Sequence, residues 1–128
     1  MTWVTLVIVA GLAEYLVFAL LVARARHTYG VHAPATTGHP MFERYMRVHQ
    51  NTMEQLVVFI PALWLFSMYM SAKVGALLGL VFIASRALYA VTYVSDPRTR
   101  TAGIASTGVV LIVLLGGAAI GAVKSLFE

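Results

Sequence analysis

The residues best equipped for chemistry lie in one run, Phe42-Glu43-Arg44-Tyr45-Met46-Arg47-Val48-His49-Gln50-Asn51-Thr52-Met53-Glu54-Gln55. On a helix, Glu43, Arg47, Asn51 and Glu54 follow one another at steps of four, four and three, so they share a face. A second stripe, Arg86, Tyr89 and Tyr93, is spaced three and four apart. Arg98 and Arg100 follow it in the chain, and Arg24 and Arg26 close the first apolar stretch. Guanidinium groups grip carboxylates through paired N–H donors, and a carboxylate such as Glu54 holds an ammonium. Gathered at one place, these groups suit a small zwitterion with more than one carboxylate.

The elements that must position them are set by composition. Of 128 residues, 60% are hydrophobic and 11% charged, whereas ordinary soluble domains are roughly 45–50% apolar and about 25% charged. Too few polar groups remain to cover a water-facing surface, which excludes a cytosolic globule and a disordered chain and points to lipid as the solvent. There are no cysteines, so disulfides, zinc knuckles and a protein thiol nucleophile are excluded. Any thiol chemistry must draw its sulfur from the substrate.

Four apolar stretches are expected to span the membrane, over about 3–23, 41–70, 74–94 and 100–123. Each has the ~20 residues that cross ~30 Å of hydrocarbon. The second is apolar only from Leu56 onward, so its polar start packs against neighbours or rises above the lipid. The runs are continuous rather than alternating, which argues against transmembrane strands. No basic residues precede the first run and it is too long for a signal-peptide core, so a retained span is expected. The reading is one all-α integral membrane domain over 1–128, a four-helix bundle of up-down topology.

Ser71 and Lys73 mark a very short turn, Asp96 is expected to cap the fourth span with Pro97 in its first turn, and Pro61 to kink the second. The stretch from Arg24 to Pro40, with Gly30, Pro34 and Gly38, reads as an irregular loop. The side holding the first and third loops carries Arg24, Arg26, Arg44, Arg47, Arg98 and Arg100, and the opposite side carries Lys73 and Lys124. The positive-inside rule then places the Arg-rich side in the cytoplasm and both termini outside. The net charge of +4 therefore speaks of orientation. Nucleic-acid binding would need an exposed basic domain, and none is present.

Plainer roles stand beside these. Arg24 and Arg98 read as snorkelling to head groups of membrane lipids. Arg44 with Glu43 reads as a structural ion pair or a ligand contact. Arg86, deep in the third span, must pair with Glu54, a neighbouring subunit or a substrate. Tyr15, Tyr45, Tyr69, Trp3 and Trp64 suit aromatic-belt or packing roles. The histidines His27, His32, His39 and His49 lack a tight ligand pair, so no metal site is expected. Gly75-x-x-x-Gly79 and Gly117-x-x-x-Gly121 permit close helix approach without naming an interface. Glu14 inside the first span also resembles the carboxylate of a small multidrug transporter. The long first loop and the Arg-bearing second helix are the wrong equipment for cations and the right equipment for anions.

The run Phe42-Glu43-Arg44-x-x-Arg47-x-His49-x-Asn51-x-x-Glu54 resembles the signature of the MAPEG family, the membrane-associated proteins in eicosanoid and glutathione metabolism. The likeness extends over most of the chain: four spans, a basic first loop with Thr36-Thr37-Gly38, and the Arg86…Tyr89…Tyr93…Arg100 stretch. Asp96-Pro97 after Tyr93 resembles bacterial or microsomal glutathione transferase-like members.

The resemblance implies a homotrimer with glutathione held between subunits near the cytoplasmic face. The membrane is the bacterial inner membrane for a bacterial member and the endoplasmic reticulum otherwise. By position Arg47, Asn51 and Glu54 match residues that hold the γ-glutamyl end, and Arg26 and Tyr93 residues near the glycyl carboxylate. His49, Tyr89 and Arg86 join the glutathione-binding set, and Arg100 with Tyr93 the catalytic end, Arg100 facing the sulfur. His49, Gln55 and His27 depart from the leukotriene-forming branch, which has glutamine, tyrosine and arginine there. The implied activity is glutathione transfer to a lipophilic electrophile, with glutathione-dependent reduction of a lipid hydroperoxide as a further capacity. A non-catalytic lipid-binding scaffold of the same family is the alternative.

Overall fold

A computed structural model describes all 128 residues. Four helices follow one another: α1 (Thr2–Tyr29), α2 (Pro40–Tyr69), α3 (Ala72–Ser95) and α4 (Thr101–Leu126). Each is long and apolar enough to cross a membrane, and α2, with 30 residues, measures about 45 Å at 1.5 Å per residue. Its polar first turns therefore have room to project beyond ~30 Å of hydrocarbon. The fold is the all-helical, up-down, membrane-spanning bundle expected of the sequence. Residues 30–39 and 96–100 lie at one end and the turn at Met70 and Ser71 at the other.

The boundaries differ from expectation at the first loop. Residues 24–29 are helical, so Arg24, Arg26 and His27 sit on the last turns of α1 and not in an irregular loop. Nothing in Ala23–Tyr29 breaks a helix, and the stop is Gly30, whose φ of 68° is left-handed. The Gly30 and Val31 N–H groups both donate to the Arg26 carbonyl, and Val31 is buried with Val22, Ala25 and Phe42. That is a helix stop sealed by an apolar contact. His39 then caps α2, its Nδ1 accepting from the Met41 N–H at 3.1 Å, with Pro40 in the first turn. The helix continues through Pro61 to Tyr69.

The second correction concerns Asp96. It caps a short 3-10 turn, Pro97–Thr99, accepting from the Arg98 N–H at 3.0 Å, and α4 starts only after Arg100. Ser71 caps α3 through Val74 at 3.2 Å.

Between helices the contacts are tight because lipid offers little hydrophobic drive for association, so close packing has to hold the bundle. Phe59 of α2 and Phe82 of α3 stack at 3.8 Å in a core that also takes in Val4, Val7, Leu63 and Leu114. The small-residue motifs are used inside the protomer. Gly75 and Gly79 receive Ser67, Leu63 and Val7, and Gly117 and Gly121 receive Phe66 and Tyr69. Trp3, Leu16, Leu20, Val91 and Ile112 are exposed outside, the apolar surface a bilayer requires.

One close approach positions the inner end. A Cβ on Gly103 would stand 2.7 Å from the Tyr89 Cα, so the first turn of α4 rides directly on the α3 backbone. Gly103→Ala is therefore expected to force the two helices apart at a cost of about 1–3 kcal/mol, seen as a lower thermal midpoint in detergent. Gly108→Ala meets nothing within 4 Å and should leave the midpoint unchanged or slightly raised.

Candidate functional site

The inner half of the bundle is built on Arg86. This side chain is 1% exposed, and its Nη2 donates to Asn51 Oδ1 at 2.7 Å and Thr52 Oγ1 at 3.0 Å. Its guanidinium lies 4.4 Å from the centroid of the Tyr89 ring, a cation–π arrangement. Tyr89 is 2% exposed and stacks in turn on half-buried Tyr93 at 5.5 Å. The Arg86-Tyr89-Tyr93 stripe is thus one continuous face, and it meets the Asn51 face of α2. Arg86 does not pair with Glu54; it takes neutral oxygens of α2, and Glu54 is exposed.

Around this base the cations divide into two groups. Arg26 Nη1 donates to the Ala35 carbonyl at 2.7 Å, with its guanidinium 4.8 Å from the Phe42 ring centroid, which ties the first loop onto α1 and α2. Arg44 does not pair with Glu43. Its Nη1 donates to the Val94 carbonyl at 2.9 Å and to Ser95 at 3.4 Å, satisfying the end of α3. Glu43 instead accepts from the Gly38 N–H at 3.3 Å. Arg47 and Arg100 remain exposed, and both come within charge-interaction range of Tyr89. A cleft of about 270 Å³ opens at Arg47, lined by Thr36, Glu43, Met46, Arg47, Gln50 and Tyr93.

His49 turns away from this cleft and stacks on Tyr15 of α1 at 4.5 Å, with 11° between the rings. Thr36 enters the sequence reading only as part of the first-loop motif, and Gln50 and Thr52 have no role there. Gln50 follows Arg47 by three residues and so shares its face; Thr52 carries no pattern, and only the position of Arg86 reveals its use. A separate apolar groove of about 380 Å³ runs between α1 and α3 over Tyr45 and Val48, lined by Phe18, Leu21, Ala90 and Val94 among others.

Arginines, tyrosines and carboxamides gathered at the loop end of a four-span bundle define a multi-pass helical membrane protein with a polar, arginine-bearing mouth. The profile of the MAPEG family matches residues 4–120. The chain belongs to that family. It is 42% identical over 116 residues to a protein of Synechocystis sp. described as uncharacterized, covering 91% of this chain and 85% of that one. It is 40% identical over 102 residues to human microsomal glutathione S-transferase 2, covering 79% of this chain and 69% of that one. With leukotriene C4 synthase of Cavia porcellus the identity is 36% over 104 residues, 81% of this chain and 69% of that one.

Asp96 holds the turn that carries Arg100. Its Oδ1 accepts from the Arg98 N–H and its carboxylate pairs with the Arg98 side chain at 3.2 Å. Those hydrogen bonds hold its carboxyl below the ordinary aspartate range. The ionised cap is thus at full strength above the ordinary aspartate value and fades only as pH falls through the depressed one. In an NMR titration the Arg98 amide resonance should move with a midpoint below that of an exposed aspartate. A midpoint in the ordinary range would mean the cap is not formed.

Proposed function

We propose that this chain is a membrane-embedded glutathione transferase that ionises the glutathione thiol for attack on a lipophilic electrophile. The single observation that carries the reading is the Arg86-centred base that presents Asn51, Tyr89 and Tyr93 beside exposed Arg47 and Arg100. Similarity to a glutathione S-transferase supports glutathione as the co-substrate. In this reading Arg47, Asn51 and Glu54 take the γ-glutamyl end, and Arg26 and Tyr93 the glycyl carboxylate. Arg86 acts from beneath rather than by contact, since it is sealed under Tyr89 and Asn51. His49, turned toward Tyr15, supports the wall of α1.

The chemistry is electrostatic. A free thiol has a pKa of about 8.5, and a neighbouring cation lowers it. Arg100 beside the sulfur stabilises the thiolate in a site partly shielded from water, where a charge pair counts for more. The thiol proton leaves to solvent at the mouth. The thiolate then forms the new carbon–sulfur bond as the electrophile's leaving group departs or its double bond accepts the electron pair. The apolar groove between α1 and α3 gives a lipophilic molecule a path from the bilayer to the outer side of the Tyr89 and Tyr93 pair. Reduction of a lipid hydroperoxide would use the same thiolate.

A homotrimer is part of the proposal. The α2 face bearing Arg47, Gln50, Glu54 and Val57 is exposed in the protomer, and a charged face at this depth is expensive in lipid. A second copy covering it would close the site. The positive-inside rule puts this end in the cytoplasm. A transporter reading is disfavoured: Glu14 Oε1 is sealed in the interior and feels the charge of Arg86, which would repel a cationic drug.

Glutathione should raise the thermal midpoint of the purified protein, since mass action stabilises the folded state by about 2.7 kcal/mol at one hundred times its Kd. Glu54→Gln is expected to shrink that shift. Arg100→Ala should keep it while conjugation of a chlorinated nitroaromatic falls about a hundredfold or more, the scale of losing one group that stabilises a reacting anion. A normal turnover in Arg100→Ala would remove the role given to that residue.

A further inference from the structure

The bundle interior holds one sealed cation and one sealed acid that no hydrogen bond uses fully. Arg86 Nε and Glu14 Oε1 are both shut off from solvent and both lack a hydrogen-bond partner. The chain has five acidic residues, and the other four are accounted for elsewhere. Asp96 pairs with Arg98, Glu43 accepts from Gly38, and Glu54 and Glu128 are exposed. Phe18, one turn after Glu14, and Tyr89, one turn after Arg86, pack in one buried cluster, which brings this stretch of α1 against this stretch of α3. A guanidinium at membrane depth demands a counter-charge, and α1 offers only this one.

The Arg86 guanidinium has two working edges. Nη2 serves α2, at Asn51 and Thr52. The Nε edge has no hydrogen-bond partner. We propose that Glu14 is the positioning residue of the site: its carboxylate supplies the counter-charge for Arg86 from the α1 side, and through Arg86 it fixes how Asn51 and Tyr89 face the ligand. The inference rests on the glutathione reading above. Arginine has no acceptor, so Asn51 turns its oxygen to Arg86 and keeps its NH2 group for a carboxylate of the ligand. Tyr89 lies on the face of the same guanidinium at 4.4 Å. When Glu14 loses its charge, Arg86 is an unpaired interior cation and swings toward any oxygen in reach, and Asn51 loses the partner that orients it. The γ-glutamyl end is then held less firmly, while Arg100 at the sulfur is untouched.

The test uses the full chain in detergent, with glutathione and a chlorinated nitroaromatic. Glu14→Gln keeps the shape and removes the charge. It is expected to raise KM for glutathione about tenfold, the scale of one lost charge-assisted hydrogen bond, with kcat within about twofold. Glu14→Asp should recover most of the affinity. In an Arg86→Gln background, Glu14→Gln should change KM less than twofold, because the residue it acts through is gone. A KM within twofold of the parent, a fall in kcat at constant KM, or multiplicative effects of the two substitutions would overturn the proposal. If Glu14→Gln is not recovered folded, the doubly neutral Glu14→Gln/Arg86→Gln protein should be; recovery no better than the single variant counts against the pair. A parent protein that binds glutathione while Glu14→Gln changes nothing leaves the glutathione reading standing. A parent that neither binds nor conjugates glutathione removes that reading and this inference with it.

Discussion

A guanidinium buried among four apolar helices is the constraint around which the inner half of this protein is arranged. Arg86 cannot lose its charge under ordinary conditions and cannot reach water from its place in α3. It must therefore find acceptors on its neighbours, and those it finds, Asn51 and Thr52, sit on consecutive residues of α2. Two hydrogen bonds from one nitrogen to adjacent residues leave little freedom for α2 to slide or rotate against α3. Everything presented at the mouth inherits that register. Arg47 lies one turn before Asn51 on α2, and Tyr93 one turn after Tyr89 on α3, so fixing Arg86 to Asn51 brings Arg47 and Tyr93 to the same cleft.

The fourth helix is brought to the same place by the absence of a side chain. Gly103 lets α4 rest on the backbone of Tyr89, and Arg100, one turn earlier, is thereby carried to the same end of α3. At the far end of the bundle, Gly75, Gly79, Gly117 and Gly121 do the same for α2, α3 and α4. Because lipid is as apolar as a leucine side chain, burial of such a side chain between helices contributes little, and the fit of small residues against large ones carries the association. The Phe59–Phe82 stack and its neighbours are thus a matter of shape more than of hydrophobicity.

The arginines at the loop end look alike in the sequence and differ in use. Arg26 and Arg44 donate to main-chain carbonyls, one tying down the first loop and the other finishing α3. Arg98 pairs with Asp96. Arg47 and Arg100 stay exposed. A cluster of positive charge is expensive to assemble, and here half of it is offset by carbonyl dipoles and one carboxylate, so two exposed arginines can stand at this end without the whole end repelling itself.

Much of this was legible in the chain. Spans follow from composition, because a chain with 11% charged residues has only lipid to face. The two stripes follow from helical periodicity, since steps of three and four put Arg86, Tyr89 and Tyr93 on one face whatever surrounds them. What periodicity lacks is the rotation of one helix about another. It places Asn51 and Glu54 on one side of α2, yet Asn51 turns in to Arg86 and Glu54 faces out. It cannot say that Arg44 will prefer the Val94 carbonyl to adjacent Glu43, a choice made by the distance between α2 and the end of α3. Nor can it join Glu14 to Arg86, which are 72 positions apart in the sequence. Local chemistry is written along the chain because it depends on neighbours in order; partners across helices are decided only when packing sets which side of each helix is inside.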